Sequence, residues 1–582
     1  MADNIRKKSF IRRFLGFSPV FIWGSSYSYS NLRSDAVAAL VVLFITVPQS
    51  IAYAYLAGMP ASAGLYAAIG GLFFYGLFGT SRALAVGPTA IIAMMSLETV
   101  SRLAEVGTAE YVSVSLKLAL LTGLILIFLR LVKFGSITSF LSHAVITGFI
   151  TAAAVLIIFN QFPAVLGMGA SSGTSLAEVS GHLLRNLGDM NRITLGLALI
   201  GMVILAYCRF FLTKHLGRSG ISENLAANLA RSAPMYAVLV TVLLVFLLEL
   251  DTSGGVAVVG SIPTSLPSFS ALIPGMEEMI NLFPSALLIS MVVFMESTAI
   301  GTAIASKTRT KLDSNQELVG LGMANIGSSF LGGFPVAGSF ARSIITHSSG
   351  ASTPAAALIT AFFVLITLVW FSPLFFYLPK GVLSIIIVMS AAQLIDLSAV
   401  RKIFSFNPVD AVTFSFTFLA VLVLGVETGI LVGILISFVL LIRNSSMPHI
   451  AIVGRIQGTE HFRNIERYDV ITSPRVIAIR IDESLYFVNT RYVENFVLNK
   501  LAELSEVRHV LLICSSTNFI DTSGLEFLEE MSHNLEEAGV TLHLAEVKGP
   551  VMDRLKNTSF YENMKGKIFF TTDMAMKELG NI

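Results

Sequence analysis

The chain carries repeated uncharged apolar runs long enough to cross a lipid bilayer, and no other feature restricts its folding as tightly. AVAALVVLFITVPQSIAYAYLAG, between Asp35 and Met59, and AAALITAFFVLITLVWFSPLFFYL, between Pro354 and Pro379, are two of them. Each reaches the roughly 20 residues that a helix needs to span the hydrocarbon core. In that medium every backbone N–H and C=O must be bonded within the chain, so such runs must fold as helices. Composition agrees: of 582 residues, 54% are hydrophobic and 13% charged, about half the charge of a soluble domain. The net charge of +2 says nothing about nucleic acid, and there is no basic stripe interleaved with aromatics, so no nucleic-acid partner is expected. About fourteen hydrophobic segments, some too short to span, precede a change of character near Arg443.

Beyond that change charges are frequent and short strands alternate with amphipathic helices. The expected organisation is a cytoplasmic N-terminal arm (1–34), a transmembrane domain (35–443), a linker (444–459) and an α/β domain (460–582). In the last, RVIAIRI, LYFVN, HVLLIC and VTLHLAEV read as strands, with VENFVLNKLAEL and LEFLEEMSHNLEEAG as helices. That order makes a layered α/β sandwich. The basic arm (Arg6, Lys7, Lys8, Arg12, Arg13) leads into no short apolar stretch with a small-residue cleavage site, so it reads as an arm and not a signal peptide. Alternating spans place Arg130, Lys133, Arg209, Lys214, Lys307, Arg309, Lys311, Arg401, Lys402 and Arg443 on the arm's side of the membrane. The stretch from Asp251 to Asn281 has acidic residues but no Lys or Arg and suits an external loop. Both termini are then cytoplasmic, in the cell membrane, which is the inner one if the source is bacterial. Cys208 and Cys514 are isolated, and together they form neither a disulfide framework nor a metal site. His143 and His347 have no ligand pattern, and P-loop or enzyme motifs are lacking.

A weak internal repeat runs at an offset of about 250 residues. VPQSIAYA from Val47 lines up with FMESTAIG from Phe294, and ALAVGPTAIIAMMS from Ala83 with GGFPVAGSFARSIITHS from Gly332. The second pair consists of Gly/Pro-interrupted pieces followed by helices too short to span. Such segments, at matched places in inverted halves, point to a transporter's substrate site. Gly87, Pro88 and Thr89 open one short helix, with Pro88 suited to its first position. Gly338, Ser339 and Phe340 open the other. Each helix start carries roughly half a positive charge and free N–H groups, and Arg342 stands about one turn into the second. Together they give roughly +2 around one cavity, which argues for an anion. Glu296, opposite Gln49 by the repeat, is a desolvated carboxyl able to carry a proton, or else a structural one held between helices. Glu427 reads as a structural residue in the turn between the last two spans.

VPQSIAYAYLAGMPASAGLYAA (from Val47), NQELVGLGMANIGSSFLGGFPVAGSFARS (from Asn315) and FIDTSGLEFL (from Phe519) closely resemble the sulfate permease family of anion transporters, to which prestin also belongs. MPAS stands where that family more often has a Pro pair. The resemblance implies a polytopic helical membrane protein with a seven-plus-seven inverted repeat, shared with nucleobase permeases, and a cytoplasmic STAS domain. It also implies a core domain moving against a gate domain, and a homodimer. Gln49 and Tyr53, four apart on one helix face, would line the anion cavity. Thr522 occupies the position phosphorylated in anti-sigma-factor antagonists, and Thr522 or Ser523 can cap the following helix. The expected activity is secondary active transport of a small inorganic or carboxylate anion, sulfate first, then bicarbonate or a dicarboxylate, coupled to H+ or Na+ and needing no cofactor. A passive channel or exchanger, a nucleobase permease and a membrane-tethered regulator whose STAS domain binds a cytoplasmic protein remain the alternatives.

Overall fold

The structure is a computed structural model that describes residues 19–137, 142–168, 175–262, 274–504 and 506–580. The basic cluster from Arg6 to Arg13 and residues 263–273 of the expected external loop lie outside them. The chain divides into two compact units, 1–435 and 436–582.

The first unit is helical. Its main elements are α1 (Tyr29–Leu56), α2 (Ala61–Phe78), α3 (Ala90–Val100), α4 (Ala109–Leu131), α5 (His143–Val165), α6 (Arg192–Tyr207), α7 (Ala233–Leu247), α8 (Met276–Thr308), α9 (Ser314–Leu331), α10 (Phe340–Ser348), α11 (Ala355–Ile366), α12 (Lys380–Ala391), α13 (Pro408–Leu424) and α14 (Val426–Ser446), the last of which runs on past residue 435. Two-residue strands, β1 (Val86–Gly87) and β2 (Ala337–Gly338), precede α3 and α10. Among the described residues nine helices are long and apolar enough to cross a membrane, or ten if Leu225–Arg231 and Ala233–Leu247 form one bent span. The fold is that of a multi-pass membrane protein. Helix α1 begins six residues before the expected boundary at Asp35, because Ser28 accepts from the N–H of Asn31 and starts the helix there.

Polar groups inside the membrane unit are bonded locally. Thr46, Ser96 and Thr241 return their hydroxyls to the carbonyl four residues earlier. Asp35 accepts from Ser352 N (2.6 Å), Thr353 N (3.1 Å) and Thr353 Oγ1 (2.6 Å) ahead of α11. Helices pack in two sets. Helix α9 lies on α2 and α4, α11 on α1 and α2, and α8 on α4; α5 lies on α12 and α13, and α6 on α7 and α12. Glycines let α9 in closely: a Cβ on Gly70 would stand 2.7 Å from the Gly327 backbone, and one on Gly123 would stand 2.7 Å from the Gly322 carbonyl oxygen.

The second unit carries a six-stranded sheet in the order β4-β3-β5-β6-β7-β8: β3 Ile450–Arg455, β4 Phe462–Asn464, β5 Val476–Ile481, β6 His509–Ile513, β7 Thr541–Ala545 and β8 Ile568–Phe569. Strands β5 to β8 are parallel, and β3 is antiparallel to both of its neighbours. Helices α15 (Thr490–Glu503) and α16 (Thr522–Glu537) are crossovers of this sheet. Three expectations change here. Ile450–Arg455, inside the stretch read as a linker, is a sheet strand pairing with β5; its alternation of buried and half-buried residues is short and easily passed over. LYFVN is no strand but one bridge, Leu485 to Ile520, followed by a turn into α15. The cap of α16 is Asp521, which accepts from Gly524 N at 2.8 Å, so Thr522 and Ser523 sit in the first turn and cap nothing.

Candidate anion site in the membrane unit

The two broken segments meet. Val86 pairs with Gly338 and Gly87 with Ala337, antiparallel. A shift of 251 residues carries Val86 onto Ala337 and Gly87 onto Gly338, so the pairing maps onto itself. Two copies related by a two-fold axis produce that register. Around it, Ser339 N donates to Ala85 O (3.0 Å), Ala85 N to Ser343 Oγ (3.0 Å) and Gly338 N to Ser297 Oγ (2.8 Å).

Both helices leave their first N–H groups without intrahelical partners. Thr89 and Ser339 are the N-caps, and neither side chain makes the capping bond. Pro88 therefore lies before the cap and not at the first helical position, as the sequence had suggested. Its backbone has another use: the Pro88 carbonyl accepts from Arg342 Nη2 at 2.6 Å. A side chain at position 87 would meet that guanidinium, because a Cβ there would stand 3.2 Å from Nη1 and 3.3 Å from Nη2. Gly87 thus lets the arginine lie against the backbone.

Arg342, the third residue of α10, is 1% exposed. It neither reaches an aqueous face nor forms an ion pair among the described residues. Its Nε and Nη1, like Thr89 Oγ1, are buried with no hydrogen-bond partner there. Burying unpaired donors on a cation is expensive, which leaves this group prepared for an acceptor. Glu296 and Tyr53 are near enough to interact electrostatically with Arg342 and with each other. Glu296 Oε2 is also buried without a hydrogen-bond partner among the described residues. The +2 expected from two helix starts and Arg342 is thus offset whenever Glu296 is ionised.

The other candidates flank this centre. Gln49 donates through Nε2 to Ser390 Oγ at 3.1 Å, while its Oε1 has no partner among the described residues. Gln49 and Ser390 line a cavity of about 370 Å3 that also takes in Arg209, Arg231 and Ala341. Glu296, Ile91 and Phe340 line a second cavity of about 580 Å3, and Gln393 borders both. Ser297, Ser390, Gln393, Arg209 and Arg231 were not among the sequence candidates. The polar residues in the otherwise apolar KGVLSIIIVMSAAQL (from Lys380) were the available signal for Ser390 and Gln393. Glu427 lies in the first turn of α14, buried, and not in a turn between spans. Arg102 bonds it at 2.9 Å and Glu98 at 2.7 Å, and Glu98 Oε2 accepts from Val426 N at 2.9 Å, tying the end of α3 to the start of α14. Among the described residues no group of His, Cys, Asp and Glu could hold a metal ion.

Comparison with known proteins agrees with this architecture. The model of the sulfate permease family matches residues 32–417, and that of the STAS domain matches residues 467–575. Sulfate transporter 4.1, chloroplastic, of Arabidopsis thaliana is 29% identical, over 95% of this chain and 81% of that protein. High affinity sulfate transporter 2 of Stylosanthes hamata is 28% identical, over 99% and 89%. Among solved structures, the murine Solute Carrier 26 family member A9 anion transporter superposes with a TM-score of 0.87 at 24% identity, covering 99% of this chain and 95% of that one. The transmembrane domain of a cyanobacterium bicarbonate transporter gives 0.59 at 20% identity, covering 71% and 98%. At these identities the two structural likenesses are likenesses of fold.

Proposed function

This chain belongs to the sulfate permease family, and on that premise we propose that it is a secondary active transporter of a small oxyanion, sulfate first. One observation carries the reading: a fully buried arginine with two unused donors lies where two helix starts converge. Sulfate offers four acceptor oxygens to Arg342 Nε and Nη1, to Thr89 Oγ1 and to the free N–H groups of α3 and α10. The relatives named as sulfate transporters favour this anion over bicarbonate or a dicarboxylate. A neutral nucleobase would leave Arg342 uncompensated.

Entry of a divalent anion against 100 mV of negative-inside potential costs about 4.6 kcal/mol, so accumulation needs co-transported cations. An anion at Arg342 repels an ionised Glu296, so anion and proton are taken up together by linkage. Glu296 is the proposed proton carrier. The two packing sets are the proposed core (α1–α4, α8–α11) and gate (α5–α7, α12–α14), with Gln49 and Ser390 meeting across their boundary. Lys and Arg bias places both termini in the cytoplasm, the STAS unit acts as a cytoplasmic regulatory module, and the working form is a homodimer. Nothing in this scheme calls for catalysis.

Uptake of labelled sulfate, bicarbonate, a dicarboxylate and uracil into proteoliposomes tests the reading. Concentrative sulfate uptake driven by an inward proton gradient is the expected result. Uptake that only dissipates an anion gradient would make the protein a channel or exchanger, and uracil uptake would overturn the assignment of the site.

A further inference from the structure

A cavity of about 680 Å3 lies at the end of the core set that carries the Lys and Arg residues, and it shares no lining residue with the two cavities beside Gln49 and Glu296. It is bordered by the segment after α2, the ends of α8 and α10 and the approach to α11, and no residue of α5–α7 or α12–α14 lines it. It therefore stands off a path running between core and gate. Its charged lining is of one sign: Arg82 and Lys311, with His347 as a third nitrogen donor and no carboxylate. The two buried carboxylates bonded to its lining are already occupied. Asp35 takes the N–H groups of Ser352 and Thr353, and Glu317 takes Tyr75 Oη at 2.7 Å and Thr80 N at 2.9 Å. Trp23 also lines the cavity, and its Nε1 is buried with no partner among the described residues.

A cavity offering two exposed cations, an imidazole and an indole N–H, lined by hydroxyls but by no carboxylate to balance the charge, matches one ligand chemistry. We propose that it binds a phosphate group, presented by an anionic lipid headgroup or by free phosphate. Position favours the lipid: Trp and clustered cations gather at the cytoplasmic membrane interface, where anionic headgroups lie. The ligand joins the end of α8, which carries Glu296, to the end of α10, which carries Arg342. Occupancy thereby biases the relation between the two groups proposed for coupling and anion binding. This consequence rests on the transport reading; the binding does not.

The test uses purified full-length chain in neutral detergent, with Arg342→Gln introduced so that the transport site does not respond. Thermal unfolding midpoints are read with added phosphatidylglycerol, phosphatidylcholine or inorganic phosphate. Phosphatidylglycerol is expected to raise the midpoint by several degrees as a ligand of the folded state, and phosphatidylcholine to leave it unchanged. The double variant Arg82→Gln/Lys311→Gln should weaken the apparent affinity at least about tenfold per cation removed, while Arg82→Lys/Lys311→Arg keeps it. A response to inorganic phosphate, lost in the same double variant, would identify free phosphate as the ligand. Equal shifts in the parent and the Gln double variant, or no shift with either anion, would overturn the site. Native mass spectrometry of the lipid retained by the wild-type chain and by the Gln double variant reads the same question without Arg342→Gln. Loss of sulfate transport in wild type with an intact lipid response would fault the transport reading and leave this one standing.

Discussion

Among the described residues the Arg342 guanidinium is anchored at a single point, the Pro88 carbonyl, and that contact takes one of its five donors. Any residue that cannot point a planar fork into the same space loses part of the site. Arg342→Lys keeps the charge but places one compact ammonium where two separated donors are needed. Its apparent affinity for sulfate should fall about tenfold, and that of Arg342→Ala by more, since a charge-assisted bond contributes about 1.5–3 kcal/mol. Uptake KM in proteoliposomes measures both, and wild-type KM in a well-folded Arg342→Ala would remove this residue from the site. Glu296 calls for a different measurement. Glu296→Gln preserves shape and cannot ionise, so uptake should lose its dependence on pH and accumulation should fall toward equilibrium. If the variant still concentrates sulfate with unchanged pH dependence, another group couples transport.

Helix α9 is held by close backbone approach at its glycines as well as by buried side chains such as Leu318 and Leu321. At Gly70 a methyl group would lie 2.7 Å from the carbonyl carbon and oxygen of Gly327, where no side-chain rotation can relieve it. Forced overpacking costs about 1–3 kcal/mol, so Gly70→Ala should lower the thermal midpoint by several degrees. Gly196, in α6, meets nothing within 4 Å. Gly196→Ala should be neutral or stabilising, by up to about 1 kcal/mol of helix propensity, and the contrast separates packing from a general effect of the methyl group. In the sheet, His543 on β7 is buried, and its Nδ1 accepts from Lys567 N at 3.0 Å. Burial first, then the neighbouring His509, pushes its pKa down to about 4. A histidine kept neutral in the fold binds its proton more readily when unfolded, so its contribution to stability is present above about 6.5 and is lost as pH falls from there toward 4. His543→Gln should flatten that acid limb in chemical-denaturation curves taken across this window. An unchanged limb would assign the pH dependence to other groups.

The whole chain separates into a unit that holds every candidate anion group and a unit that holds none of them. Truncation should therefore spare sulfate binding, provided the cut respects the sheet. A cut after residue 459 would strand β3, whose alternate residues are buried against its partners. A cut after Ser446 removes the sheet cleanly. That protein should bind sulfate with wild-type affinity by calorimetry while transporting more slowly or surviving less well in the membrane. Loss of binding in a correctly inserted protein would place part of the site outside the membrane unit.

Much of this was legible in the residues because it follows from local chemistry. Uncharged runs of bilayer length can only be helices, and matched Gly/Pro breaks with one arginine among them mark where an anion can be held. Gly87, Thr89, Ser339 and Arg342 were found that way, Glu296 through the internal repeat and Gln49 through the family resemblance, and the structure brings their segments together around α1, α3, α8 and α10. Local chemistry cannot say which distant groups become neighbours. Ser390 and Gln393 face the site only because α12 packs across α1, and Arg209 and Arg231 border a cavity only because α6 and α7 close over it. Pro88 suits a helix start by propensity, yet its carbonyl is taken by an arginine more than 250 residues away. Ile450–Arg455 holds three β-branched residues in six, but so short a run is a strand here because β5 offers an edge to pair with. Sequence determined where the spans form and which side chains carry charge; tertiary structure decided the strands at the sheet edge and the long-range partners, because those groups are buried and bonded between elements.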